Sequence, residues 1–148
     1  MEIPGLPQLP PSGLLLGVGI DLIEVERIRT VIERQGERFL ARVFTGEERA
    51  YCAAMKFSHK HYAARFAAKE AVSKCFGTGL GAEIGWRSVS VYHGERHQPL
   101  VRLDERGTAL LRTVGATAVH LSLAHTEALA VAVAVLVRQP AAEARDGG

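Results

Sequence analysis

Arg65-Phe66-Ala67-Ala68-Lys69-Glu70-Ala71-Val72-Ser73-Lys74-Cys75-Phe76-Gly77-Thr78-Gly79 reads as the second half of a long helix followed by its stop. Helix formers run on to Phe76, and Gly77 then offers the left-handed residue on which helices commonly end. Ser58 is the expected N-cap, which makes the helix span residues 58–76. At about 100° per residue, Ala64, Ala67, Ala68, Ala71 and Cys75 form a stripe of small side chains that lets another element come close. Phe66, Lys69, Glu70, Ser73 and Lys74 occupy the roughly opposite arc. Glu70 and Lys74 stand four apart, which suits a surface ion pair. They also suit a site where Glu70 ligates a hard cation while Lys69 and Lys74 hold phosphates. The Gly77-Thr78-Gly79 turn offers backbone N–H groups to an anion. It is no Walker A loop, because it follows a helix and lacks Gly-Lys-Ser/Thr.

Upstream of this helix, Leu14 to Ile20 is a short apolar run ending in Asp21, the pattern of a buried strand. Asp21 either caps the next helix or serves as a ligand at a strand end. One helix is expected from Glu24 to about Phe44. Val25, Ile28, Ile32, Phe39 and Val43 form its apolar face and Arg27, Arg34, Arg38 and Arg42 a charged stripe. Thr45 with Glu48 three residues on is a capping-box pattern opening a further helix.

Downstream, Gly79 to Gly85 is a glycine-rich loop. Val89–Tyr92 and Leu100–Leu103 make a hairpin candidate, and Asp104 is placed to cap a helix through Val114. Val119–Ala124 and Leu129–Val137 suggest a second hairpin, with His120 and Ser122 on one face of its first strand. That face is either exposed sheet or part of a site, and Ser122 lacks a nucleophile-elbow context. Helices early and antiparallel strands late define an α+β layout.

The bulk properties agree with one globular domain. The chain has 148 residues, 47% hydrophobic and 23% charged, with a net charge of +2. That charge is too small to argue for nucleic acid as a partner. The longest apolar run, Ala128 to Val137, is about half of the roughly 20 residues a membrane-spanning helix needs. Cys52 and Cys75 form no CxxC pair, and Cys75, among small apolar residues, reads as a buried free thiol, which fits a reducing cytoplasm. Met1–Gly13 reads as a flexible arm and Gln139–Gly148 as a disordered tail.

Four stretches together resemble the holo-(acyl-carrier-protein) synthase family of 4′-phosphopantetheinyl transferases. They are Gly17-Val18-Gly19-Ile20-Asp21-Leu22-Ile23-Glu24-Val25-Glu26-Arg27-Ile28, Phe44-Thr45-Gly46-Glu47-Glu48 with Tyr51-Cys52, the Phe66–Gly79 segment, and His120-Leu121-Ser122-Leu123-Ala124-His125-Thr126. They cover roughly residues 16–137, and the third is the most specific. The resemblance implies a 4′-phosphopantetheinyl transferase fold over residues 14–138, with long helices packed on a small antiparallel sheet. It also implies a homotrimer with active sites between protomers.

The implied reaction moves 4′-phosphopantetheine from coenzyme A to a serine of an apo-acyl carrier protein, in support of fatty acid or polyketide synthesis. Asp21 and Glu70 would hold Mg²⁺, and Lys69 would assist serine deprotonation or bind phosphate. Lys74, Gly77, Thr78, Gly79 and His120 would bind the coenzyme, and Glu48 would be structural. Arg27, Arg34, Arg38 and Arg42 would meet the acidic carrier; otherwise they are a solvated helix face. Departures from the family pattern are Ser88-Val89-Ser90, Ala124 and Arg138-Gln139. The competing readings are a silent coenzyme A- or nucleotide-binding module and a basic helical interaction protein. A mere binder would not need the acidic pair.

Overall fold

The computed structural model of the chain describes residues 13–141. The expected N-terminal arm and C-terminal tail therefore fall outside the described residues, except for Gly13 and residues 139–141. In chain order the elements are β1 (Leu14–Glu24), α1 (Val25–Gln35), α2 (Glu37–Val43), α3 (Gly46–Ala53) and α4 (Ser58–Phe76). A short 3-10 turn (Trp86–Ser88) then leads into β2 (Val89–His93), β3 (Pro99–Leu103), α5 (Glu105–Thr113), β4 (Ala118–His125) and β5 (Leu129–Arg138). The layout is α+β, as expected. Among the described residues, no helix is long and apolar enough to cross a membrane.

The strands form two antiparallel sheets, one ordered β1-β5-β4 and the other the hairpin β2-β3. In the larger sheet, Asp21 pairs with Ala132 and Leu123 with Ala132 from the other side. Side chains paired directly across strands share a face. Gly17, Gly19, Asp21 and Ile23 of β1 therefore lie on the same face as Ala130, Ala132, Ala134 and Leu136 of β5, and α4 covers that face. The small-residue stripe is what makes this possible. A Cβ added at Gly19 would sit 1.9 Å from the Ala71 carbonyl oxygen, and one at Gly17 would sit 2.3 Å from that of Cys75. Backbone meets backbone there, and only glycine fits. The stripe is thus consumed within the chain, where it mates α4 to β1 and β5.

Gly19→Ala is accordingly expected to cost about 3 kcal/mol or more in unfolding free energy, by overpacking. Gly46→Ala, with nothing within 4 Å of the new carbon, is the matched control. Denaturant unfolding of the two variants side by side checks this, and equal midpoints would refute the close-approach account.

Several expectations need correction. The helix expected over Glu24–Phe44 is two helices, broken at Gly36, whose φ is +56°. Ser58 is the first helical residue and Phe57 the N-cap, with no side-chain cap. The arc opposite the small-residue stripe is not solvated. Lys69 and Ser73 are buried, and Phe66 stacks on Trp86 with ring centroids 4.9 Å apart. Of that arc, Glu70 is half-buried and only Lys74 is exposed. The capping box of Thr45 and Glu48 and the Asp104 cap are both present. Cys52 and Cys75 are free and buried, and burial pushes their thiols up to about 12 and about 11.

Candidate functional site

Asp21 lies within β1 on the sheet face that α4 covers, with its side chain 18% exposed. Close packing of glycine against alanine brings the helix backbone near the sheet, so side chains one turn apart on α4 project over the Asp21 carboxylate. Lys74 Nζ donates to Asp21 Oδ1 at 3.1 Å and to the Ile20 carbonyl at 3.0 Å. The ion pair made by Lys74 is therefore with Asp21; the Glu70–Lys74 pair suggested by helical spacing is not formed among the described residues. Burial pushes the Glu70 carboxyl above its ordinary range, and the neighbouring Asp21 charge raises it further, with Lys74 offsetting part of the rise. Asp21, Glu70 and Lys74 are thus brought together where α4 crosses β1, with the charge of one carboxylate acting on the other.

That arrangement suits a hard divalent cation. Both donors are oxygens, their mutual repulsion is what a cation relieves, and no thiol or imidazole joins them. Among the described residues there is no group of three or more His, Cys, Asp or Glu side chains able to hold a metal. Two carboxylates are nonetheless sufficient for Mg²⁺, which completes its shell with water and substrate phosphates.

The other expected site residues fall elsewhere. Lys69 points away from these carboxylates, fully buried beside Glu48. Its ammonium donates to Glu48 Oε1 at 2.6 Å, to the Trp86 carbonyl at 3.0 Å and to the Val89 carbonyl. Gly77 adopts the left-handed conformation expected of it, with φ +74°. Its N–H, however, donates to Lys74 O, and that of Thr78 donates to Ser73 O. These two amides close the helix and are not presented to an anion. The Thr78 hydroxyl is buried without a hydrogen-bond partner.

His120 lies on the sheet face opposite Asp21, since its pairing runs through Val135 to Val18. Within one chain it does not join the two carboxylates. Arg27, Arg34, Arg38 and Arg42 are all exposed and make no ion pair among the described residues. Gly36 divides them between α1 and α2. Arg27 and Arg34 flank a groove of about 570 Å³ that reaches Leu22, Val31 and Leu129.

One cluster has no counterpart among the sequence expectations. Arg65, 2% exposed, donates from Nη2 to His93 Nε2 at 2.9 Å, and its guanidinium lies 4.0 Å over the Tyr51 ring. Tyr51 stacks on His93, and His61 contacts both Tyr51 and His125 edge-on. Burial, then Arg65 and the neighbouring histidines, hold the His61 imidazole below its ordinary range. The Nε of Arg65 has no partner. The only hint in the sequence was that Tyr51 and His125 sit within two of the four motifs.

Comparisons with known proteins agree on one family. Residues 17–134 match the model of the 4′-phosphopantetheinyl transferase superfamily. The holo-(acyl-carrier-protein) synthase of Chlamydia trachomatis serovar L2 is 44% identical over 121 residues, covering 82% of this chain and 98% of the relative. A crystal structure of the synthase from Neisseria meningitidis superposes with a TM-score of 0.79 at 28% identity, over 83% of this chain and 98% of that one. The synthase from Bacillus anthracis in complex with CoA (3′,5′-ADP) superposes with a TM-score of 0.71 at 33% identity, over 84% and 98%.

Proposed function

The chain belongs to the 4′-phosphopantetheinyl transferase superfamily, and from that premise we propose that it is a holo-(acyl-carrier-protein) synthase. It transfers 4′-phosphopantetheine from coenzyme A to a serine hydroxyl of an apo-acyl carrier protein and releases adenosine 3′,5′-bisphosphate. The Asp21–Glu70 pair carries this reading. In the reaction the serine oxygen bonds to the phosphorus bearing pantetheine, and the bond from that phosphorus to the bridging oxygen breaks. The electron pair leaves with the bisphosphate, and the serine proton is released to water.

Asp21 and Glu70 would hold Mg²⁺, which when bound would neutralise pyrophosphate charge and polarise the phosphorus. The remaining work falls to the chain's own side chains. Lys74 stands on a half-exposed, flexible stem beside Asp21 and offers its ammonium to a phosphate oxygen. The orphaned Thr78 hydroxyl gains a partner when a phosphate arrives, which offsets a cost of about 1–3 kcal/mol. The cationic cluster around Arg65 adds positive potential at the other half of α4 for a coenzyme carrying several phosphates. Lys69 is withdrawn from base catalysis in this proposal. Its ammonium is sealed from solvent and already has three acceptors.

The enzyme works as a homotrimer. On the uncovered sheet face, Val18, Ile20 and Leu22 are 57%, 59% and 59% exposed. Val131, Val133 and Val135 continue this apolar face, and His120, Ser122 and Ala124 border it. A continuous apolar sheet face is an association surface. Covering it with neighbouring copies also offers His120 a route into another protomer's site.

The carrier docks on the arginines of α1 and α2, led by the groove between Arg27 and Arg34. Reversing both to Glu is expected to raise KM for the carrier about 10-fold or more, with little change in KM for coenzyme A. Steady-state kinetics at two salt concentrations checks this, since a docking field weakens with salt. Equal effects on both substrates would refute the assignment. The reaction itself is tested by the mass shift of apo carrier protein with coenzyme A and Mg²⁺. The shift should vanish with chelator and return with added metal.

A further inference from the structure

The buried pair of Lys69 and Glu48 is the strongest polar feature without a task in the proposed chemistry. Neither side chain has any exposure. Glu48 Oε1 accepts from Lys69 and from the Thr45 backbone N–H at 2.9 Å, and Oε2 accepts from the Val91 backbone N–H at 3.0 Å. Lys69 also reaches the carbonyls of Trp86 and Val89. Four segments meet at this point: the start of α3, the middle of α4, the Trp86–Ser88 turn and β2. Burying an ion pair is a poor way to gain stability, because an apolar pair of similar volume fills the space without the desolvation cost. What an ammonium held by three acceptors does supply is a single orientation.

We infer that Lys69 and Glu48 are positioning residues that set the rotation of α4 about its axis and so aim Glu70 at Asp21. On the opposite side, the contact of Ala71 and Cys75 with Gly17 and Gly19 sets how close α4 comes. A stripe of small side chains on glycine and alanine is smooth, however, and resists rotation weakly. Lys69 and Glu70 are consecutive, so they leave the helix about 100° apart. Anchoring Lys69 in the α3–hairpin junction therefore directs Glu70 toward β1. A rotation of about 10° displaces a carboxylate by roughly 1 Å, and misplacement on that scale costs about 10²-fold in rate.

This inference rests on Glu70 being a metal ligand, and the test separates the two ideas. Mn²⁺ is titrated calorimetrically into the full-length protein with coenzyme A present, alongside turnover measurements. Lys69→Met leaves a buried carboxylate without its cation. It is expected to weaken Mn²⁺ about 10-fold and slow turnover about 10²-fold. Lys69→Met combined with Glu48→Gln removes the stranded charge but still lacks the ammonium anchor, so both quantities are expected to stay near the Lys69→Met values. Recovery of both to the parent values would assign the defect to the stranded charge and overturn the inference. If Lys69 were a base, the double variant would stay as slow as Lys69→Met, with Mn²⁺ affinity at the parent value in both. That result overturns the inference.

Should Lys69→Met fail to fold, Glu48→Gln keeps the outline of the carboxylate and gives the same readout. Weakened Mn²⁺ supports positioning, and unchanged Mn²⁺ overturns it. Parent-like Mn²⁺ affinity in Glu70→Ala would instead refute the metal reading itself.

Discussion

Glu70→Ala is expected to slow modification of apo carrier protein by about 10³-fold or more, while thermal unfolding of the metal-free protein stays at or slightly above the parent value. The two halves of this expectation have one cause. Burial and the Asp21 charge both raise the Glu70 carboxyl above its ordinary range. A carboxyl raised on folding favours the folded state on the acid side. That contribution is lost as pH climbs from the ordinary glutamate range through the raised value. Wherever Glu70 is ionised it is therefore a cost to the metal-free fold, and its removal relieves repulsion with Asp21. Asp21→Ala should lose turnover similarly, because the remaining carboxylate alone binds a divalent cation weakly. Its effect on stability should be small, since the Lys74 it releases is 52% exposed and readily hydrated. Rates from mass spectrometry at saturating coenzyme A and Mg²⁺, with unfolding curves of the same samples, check both. A folded Glu70→Ala protein with near-parent rates would remove Glu70 from the site.

What could be read in the sequence was what is local. The capping box at Thr45, the stop at Gly77 and the Asp104 cap each depend on residues within one or two turns of each other, and each is present. The β4–β5 hairpin was legible too, but not which of its faces α4 would cover. Pairing of β1 with β5 joins segments more than 100 residues apart, and nothing in either strand names its partner. The break at Gly36 was hidden because Val25, Ile28, Ile32, Phe39 and Val43 keep helical phase across it. Lys69 was misread for a related reason. A lysine on a helix is exposed by default. It is buried here only because Glu48, 21 positions away, and two carbonyls converge on it. Asp21 and Glu70 were placed together by the family resemblance, since helical periodicity alone allowed the surface ion pair. The structure goes beyond the resemblance in showing that Asp21, not Glu70, is the ion-pair partner of Lys74.

A charge at the centre of the uncovered sheet face should dismantle the proposed trimer without unfolding the protomer. Val18→Asp is the cleanest case. The side chain is 57% exposed in the single chain and opposes Val135, with His120 next beyond. It also points away from Asp21, so the site is left as it was. In the proposed trimer every copy would bury an unpaired carboxylate, which no apolar neighbour can compensate. The expected result is a monomer by light scattering at micromolar concentration, with turnover down by about 10²-fold or more. A variant that stays trimeric would show that another surface makes the contact.

The same geometry predicts complementation. Because His120 and Asp21 lie on opposite faces of one sheet, a site that uses His120 must take it from a neighbour. Mixing Glu70→Ala with His120→Ala protomers by refolding should then create sites with both groups intact. In random equal mixing these make up about a quarter of all sites in a cyclic trimer. Activity above the sum of the two separate variants, approaching that fraction of the parent, is the signature of a shared site. No gain on mixing would place His120 outside the chemistry and leave the sheet face as a packing surface alone.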